Sequence, residues 1–362
     1  METLFGTDGI RGRANSYPMT PEIALKVGRA VAAFFENNSA GHSKIIIGKD
    51  TRISGDMLES ALAAGICSMG MDVYLTGILP TPGIAYLAAK MDFAAGIVIS
   101  ASHNPYFDNG IKLFNGDGFK LTDNQEKEIE NLILADTQKK HDDPKIGRIR
   151  QMHDAVDRYV NFLAGTVDRT LQFNQIKAVL DCANGATYQV APKLFEQLGL
   201  QIETLFNIPN GMNINAQCGS QHPETLGKKV VALNADIGLA FDGDGDRLIV
   251  VDETGEILSG DQILAICAQD MQQKGLLKKN RVVSTIMSNM GLRQALKKMG
   301  IKHQTTKVGD RYVMEEMLAA DAVLGGEDSG HMIFLDYHST GDGLLAAIRL
   351  LTALSEEPVP LS

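Results

Sequence analysis

The sequence predicts an α/β protein built of three similar α/β modules with mainly parallel, mixed sheets. Three observations carry that expectation. Short β-branched runs alternate with amphipathic stretches along nearly the whole chain, the alternation restarts twice, and 362 residues exceed what one hydrophobic core organises. Strands that alternate with helices of about 10–15 residues belong to βαβ units, because parallel neighbours need a long crossover.

The elements follow in order. Thr20-Pro21 sets an N-cap before a proline at the first helical position, where a missing N–H costs nothing. KIIIGKD (44–50) reads as a buried strand and is followed by an amphipathic stretch from Asp56 to Met69. MDVYLTG (71–77) and AAGIVISA (94–101) are further strands, with a helical segment between them. Thr122-Asp-Asn-Gln125 has capping-box spacing, a hydroxyl with a glutamine three residues on. The polar stretch DTQKKHDDPKIGRIR (136–150) marks a boundary. The pattern returns in IKAVLDCANG (176–185), LQIETLF (200–206), ADIGLAFDGDGD (235–246) and LIVV (248–251), and a hairpin-like turn at Asp252–Gly255 marks a second boundary. A second capping box, Ser259-Gly-Asp-Gln262, opens a helix over 260–274, with strands expected in VVSTIM (282–287), HQTTKVG (303–309) and AVLGGEDSG (322–330). The modules are therefore expected at 1–150, 151–254 and 255–362.

Composition narrows the class. Hydrophobic residues make up 44% and charged ones 22%, and no apolar run is long enough to span a bilayer. The opening METLFGTDGIRGR has an early acidic residue and no apolar signal core, so a cytoplasmic protein is expected. Cys67, Cys182, Cys218 and Cys267 are far apart without a CxxC pair, which suits reduced thiols better than a zinc site. A net charge of −10 disfavours nucleic acid or an anionic membrane as partner. A small anionic substrate is compatible only where Lys and Arg concentrate locally.

The polar motifs fall at strand ends, where open α/β sheets bind ligands. FGTDGIRG (5–12) is glycine-rich and places Arg11 in a loop, and SASHNP (100–105), FDGDGDR (241–247) and GGEDSGH (325–331) each end a strand. Any one of these alone is an ordinary polar turn. FDGDGDR is the strongest. Asp242, Asp244 and Asp246 alternate with glycines directly after the apolar run IGLAF, and three converging carboxylates repel one another unless a cation sits among them. Such hard oxygen ligands suit Mg²⁺. An EF-hand starting at Asp242 matches at Glu253 but has Arg247 where a glycine belongs, and a strand follows, so it is rejected. An aspartyl-nucleophile phosphatase would want a hydroxyl or valine where this chain has Asp246.

Ser102 next to His103 invites a serine-hydrolase reading. No G-x-S-x-G elbow surrounds Ser102, and on an extended strand end His103 would point the other way. A phosphate carrier fits better: a phosphoserine adds up to about two negative charges, and Arg247, Arg11, Lys112 and His103 are the groups to offset them. Glu327, Ser329 and His331 alternate, so an extended segment would turn all three to one face, as a row of sugar hydroxyls requires. KVGDR (307–311) adds the cations Lys307 and Arg311, either of which alone would be an ordinary surface charge.

FGTDGIRG, SASHNP, FDGDGDR and GGEDSGH, in this order and over the whole chain, resemble the α-D-phosphohexomutase superfamily. FGTDGIRGRAN, KDTRISG and SASHNPYFDNGIK are most similar to its bacterial phosphoglucosamine mutase branch. The resemblance implies modules around a central active-site cleft and interconversion of glucosamine 6-phosphate and glucosamine 1-phosphate, on the route to UDP-N-acetylglucosamine. Ser102 would then carry a phosphate that completes a Mg²⁺ site with Asp242, Asp244 and Asp246, and Arg247 would contact it. Lys112 and Arg11 would be the acid/base and phosphate-binding groups, with His103 supporting the serine loop. Glu327, Ser329 and His331 would hold the sugar. A glucosamine or glucose 1,6-bisphosphate would be the intermediate, and the protein would form a homodimer through its first module, with a regulatory protein as a further partner. Members normally carry a fourth domain with an R-x-SGTEP-like loop, whereas this chain ends at LSEEPVPLS, so a shortened and weakly active form is expected. Phosphomannomutase or phosphoglucomutase activity, or a non-catalytic sugar-phosphate or partner-binding module, are the competing readings.

Overall fold

The structure, a computed structural model, describes residues 4–6, 8–38, 43–135, 145–168, 170–356 and 361–362. By its internal contacts the chain divides into two units, residues 1–157 with 209–214, and residues 158–208 with 215–362.

The first unit holds a seven-stranded sheet. Its strands are β1 (Phe5–Gly6), β2 (Gly9–Arg13), β3 (Lys44–Lys49), β4 (Asp72–Ile78), β5 (Ala95–Ile99), β6 (Asp108–Asn115) and β7 (Ile149–Gln151), in the order β1-β2-β6-β5-β3-β4-β7. The apolar runs sit at the centre: β3 pairs in parallel with both β4 and β5. Pairing turns antiparallel from β5 through β6 to β2 and β1. Helices α1 (Pro21–Asn38), α2 (Gly55–Cys67), α3 (Thr81–Lys90) and α4 (Asp123–Leu134) complete the unit. Val27 and Val31 of α1 pack with Leu58 and Leu62 of α2 and with Ile45 and Ile47 of β3, all fully buried. Each such side chain contributes about 1.5–3 kcal/mol of burial. The expected box at α4 forms: the Gln125 N–H reaches Thr122 Oγ1 at 3.4 Å, and the Thr122 N–H donates to Gln125 Oε1 at 3.0 Å.

The second unit holds two sheets. β8 (Lys177–Asp181), β9 (Gln201–Leu205), β10 (Ile237–Phe241), β11 (Leu248–Val251) and β12 (Ile257–Leu258) run in the order β12-β11-β10-β8-β9. β9, β8 and β10 are parallel, and β11 returns antiparallel to β10. β13 (Arg281–Thr285), β14 (Lys302–Thr306), β15 (Leu324–Gly326) and β16 (Met332–Phe334) form the third sheet, ordered β14-β13-β15-β16, with only β16 antiparallel. The helices from here to the C-terminal part are α5 (Ala155–Ala164), α6 (Thr187–Gln197), α7 (Glu224–Leu233), α8 (Gly260–Gln273), α9 (Met290–Lys298), α10 (Asp310–Ala320) and α11 (Gly343–Glu356). The three α/β sheets, each mixed and mainly parallel at the centre, match the predicted fold class.

Three local readings differ from the structure. Arg11 lies on strand β2, opposite Gly110, and not in a loop, because the second half of FGTDGIRG pairs with β6. Of the polar stretch 136–150, residues 136–144 lie outside the described residues, and Ile149–Gln151 forms β7 against β4. The turn at Asp252–Gly255 closes the β11–β12 hairpin, so the second sheet continues to Leu258. Among the described residues, no helix is long and apolar enough to cross a membrane.

Candidate active site

In the first unit β5 ends at Ile99, and the chain turns through Ala101–Asn104, where the Asn104 N–H donates to the Ala101 carbonyl at 3.0 Å. Ser102 sits in this turn at φ 50°, the left-handed region that non-glycine residues seldom adopt, and it is 1% exposed. The extended geometry expected of it is therefore not what forms. As a consequence His103 does not point away: its Nδ1 is 3.3 Å from Ser102 Oγ. The turn is tied from beneath. The Ser102 N–H donates to Ser100 Oγ at 2.9 Å, and the guanidinium of Arg52 donates to the carbonyls of Ser102, at 3.1 Å, and of Asn104. Arg52 is itself paired with Asp50, and both side chains are fully buried.

The same unit gathers cations around one carboxylate. Lys112 on β6 is 1% exposed, and its Nζ is 3.1 Å from Asp8 Oδ2. Arg11 and Lys120 pair with Asp8 as well. Burial pushes the Asp8 carboxyl up, but Lys112, Lys120 and Arg11 outweigh it and hold the group well below the usual carboxylate range. Asp8 thus gathers three cations of the first unit at one point. Asp8 and Lys120 extend the predicted set. Asp8 stands inside FGTDGIRG without having been singled out there, and nothing in the sequence marks Lys120.

In the second unit the loop after β10 carries Asp242, Asp244 and Asp246, which are 1%, 1% and 4% exposed and have carboxylate oxygens within 4.8 Å of one another. The loop is shaped by its backbone. Gly245 takes φ 73°, its N–H donates to the Asp242 carbonyl at 3.1 Å, and the Ala186 N–H donates to the Gly243 carbonyl at 2.8 Å. A Cβ at Gly185 would meet the Gly243 carbonyl oxygen at 2.4 Å, so a glycine is required there for close approach. The Arg247 guanidinium lies 3.8 Å from Asp246. The donor set of the three aspartates is all hard oxygen and fits a divalent cation such as Mg²⁺.

The loop 327–331 packs onto this one. Arg247 and His331 form an antiparallel bridge, and the Leu248 N–H donates to the Gly330 carbonyl at 3.0 Å. His331 lies between Asp246 and Asp310, with Nδ1 3.6 Å from the first and Nε2 3.6 Å from the second. Burial opposes charging of the imidazole, but Asp246, Asp310 and Glu327 outweigh it and raise its pKa. Glu327, Ser329 and His331 do not share the face of an extended strand. The Gly330 N–H donates to the Glu327 carbonyl at 3.0 Å and folds the segment into a turn. Glu327 instead accepts from the Gly309 N–H at 3.0 Å, which ties the loop of Lys307 and Arg311 to this turn. Lys307 itself stacks over the Tyr312 ring at 5.5 Å, and Arg311 lies in the first turn of α10.

Comparison with known proteins covers the whole chain. Residues 2–140, 157–255 and 259–362 match the models of phosphoglucomutase/phosphomannomutase alpha/beta/alpha domains I, II and III. Over 368 aligned residues the chain is 57% identical to a phosphoglucosamine mutase of Syntrophus aciditrophicus, covering 100% of this chain and 81% of that protein. It is also 57% identical to the phosphoglucosamine mutase of Syntrophobacter fumaroxidans, with the same coverage. A phosphoglucomutase/phosphomannomutase family protein from Burkholderia thailandensis superposes with a TM-score of 0.85 at 29% identity, over 98% of this chain and 77% of that one. The N-acetylphosphoglucosamine mutase of Aspergillus fumigatus, solved with GlcNAc-6P and magnesium, shares the fold at a TM-score of 0.67 and 15% identity, over 99% and 78% of the two chains.

Proposed function

The chain belongs to the phosphoglucomutase/phosphomannomutase family, and from that premise we propose that it interconverts glucosamine 6-phosphate and glucosamine 1-phosphate as an intramolecular phosphotransferase. The observation that carries the substrate choice is the 57% identity, over its full length, to relatives that bear this one activity in their name.

In the proposed reaction Ser102 carries the phosphoryl group. The bond from phosphorus to Ser102 Oγ breaks as a bond from phosphorus to a sugar hydroxyl oxygen forms, which gives glucosamine 1,6-bisphosphate. Lys112, acting as the neutral amine, takes the hydroxyl's proton and so becomes a cation beside Asp8, and Ser102 Oγ gains a proton from a protonated His103, whose Nδ1 lies 3.3 Å away. The bisphosphate then turns over and returns its other phosphate to Ser102. Arg11, Lys112 and Lys120 supply the cationic surface for the phosphorylated sugar, and Asp8 keeps those charges together. Arg247, Lys307 and Arg311 are assigned to phosphate binding, and Glu327, Ser329 and His331 to the sugar.

Asp242, Asp244 and Asp246 would hold Mg²⁺, which when bound supplies Lewis-acid stabilisation of the charge on the transferring phosphoryl group. Glucose 1,6-bisphosphate, bound in one fold neighbour, is the natural activator on this reading. Cytoplasmic residence, a homodimer through the first module and control by a partner protein complete the proposal. The test is a comparison of rates on the 6-phosphates of glucosamine, glucose and mannose. Glucosamine 6-phosphate should be preferred by at least about tenfold in kcat/KM, a difference of about 1.4 kcal/mol in transition-state binding. Preference for glucose or mannose would overturn the assignment.

A further inference from the structure

Arg52 and Asp50 form a buried ion pair beneath the serine turn, and the reaction as proposed gives them no role. A buried pair is weak support for stability, because removing two charges from water costs as much as their attraction returns. What distinguishes this one is where its remaining donors go. Asp50 Oδ1 accepts from the Arg52 N–H at 2.9 Å, its other oxygen takes the guanidinium, and the guanidinium's second nitrogen serves the carbonyls of Ser102 and Asn104. These bonds hold the Ser102–His103 and Asn104–Pro105 peptide units, which bracket the His103–Asn104 step of the turn. They act on the one stretch whose backbone is unfavourable by itself, with Ser102 at φ 50°. Such a conformation persists only where its surroundings enforce it. Ser102 N–H also donates to Ser100 Oγ, Asn104 N–H to the Ala101 carbonyl and the Asn104 side-chain amide to Asp108 Oδ2, and to these Arg52 adds a grip on two carbonyls of the turn.

We propose that Arg52, held by Asp50, is a positioning residue for phosphoryl transfer: it clamps the Ser102–Asn104 turn so that Ser102 Oγ and His103 are presented in a fixed geometry. The proposal rests on Ser102 being the phosphate carrier. The planar fork of Arg52 reaches the carboxylate with one nitrogen and the two carbonyls with another, a spread that the single nitrogen of lysine does not reproduce. A small misplacement of a reacting group lowers the rate far more than it lowers binding.

The test uses the full chain with Arg52→Lys and Arg52→Ala. Loading of phosphate onto Ser102 from glucose 1,6-bisphosphate is followed by intact mass, alongside kcat and KM for glucosamine 6-phosphate. In Arg52→Lys the loading rate and kcat should fall by about 10- to 100-fold, with KM changed by less than about threefold. Low concentrations of guanidinium should restore part of the activity of Arg52→Ala and leave the wild type unchanged, a rescue that general destabilisation does not produce. If Arg52→Ala does not fold, Arg52→Lys alone decides. Loading and kcat of Arg52→Lys within about twofold of wild type, or losses that follow thermal stability without guanidinium rescue, overturn the clamp. Failure of the wild type itself to take phosphate would instead refute the carrier reading, and the clamp with it.

Discussion

Asp181 ends β8 with its carboxylate buried, and Oδ1 and Oδ2 accept from the N–H groups of Ala183 and Gly219 at 2.8 and 2.9 Å. Burial outweighs those two bonds and raises the group's pKa to about 6. A raised folded-state pKa has a definite sign. The unfolded chain ionises first as pH rises, so the stability this group contributes is full below about pH 4 and lost above about pH 6. The cost of Asp181→Asn should therefore shrink by about 2 kcal/mol between about pH 4.5 and 7.5, read from denaturant unfolding at several pH values. A cost independent of pH would contradict the assignment. At this scale the sequence was informative about chemistry and silent about conformation. The three aspartates were legible because alternation with glycine after an apolar run gathers three carboxylates at one strand end, where a cation relieves their repulsion. The left-handed φ of Ser102 was not, since no local signal marks it and the guanidinium that bonds its carbonyl, that of Arg52, lies fifty residues away in the chain. That is why His103 was expected to point away and instead reaches the serine hydroxyl.

At the scale of elements, the aspartate loop after β10 takes its shape from its neighbours in the second unit. The loop after β8 packs against it through Gly185, and the Gly343 N–H at the start of α11 donates to the Gly245 carbonyl at 3.1 Å. Gly185→Ala places a methyl group within 2.4 Å of the Gly243 carbonyl, so the loop must shift. We expect about 1–3 kcal/mol of lost stability and weaker Mg²⁺ binding, although no ligand is changed. Thermal unfolding and a metal titration by calorimetry check both, and unaltered Mg²⁺ affinity would show that the loop holds its shape without this contact. Parallel strands were readable because they are buried on both faces and appear as unbroken apolar runs, as in KIIIGK and AGIVI. β6 was hidden, since it opens on Asp108-Asn109-Gly110, residues that signal a turn. With β6 hidden, the pairing that lifts Arg11 onto a strand and buries Lys112 was out of reach.

At the scale of the whole molecule, the chain is acidic, yet it concentrates Arg11, Lys112 and Lys120 on Asp8 in one unit and buries three aspartates in the other. Net charge argues against polyanionic partners, but as a single sum it could not show that cations and anions are sorted into separate places. The family and the three-module plan were legible from four motifs in order, and relatives at 57% identity support the same substrate. The central claim is that Ser102 carries a phosphoryl group. It is tested most directly by intact mass after incubation of the wild type and Ser102→Ala with glucose 1,6-bisphosphate and Mg²⁺. The account predicts one added phosphate on the wild type, mapped to Ser102, and none on the variant. An unmodified wild type, or equal labelling of the two proteins, would contradict it.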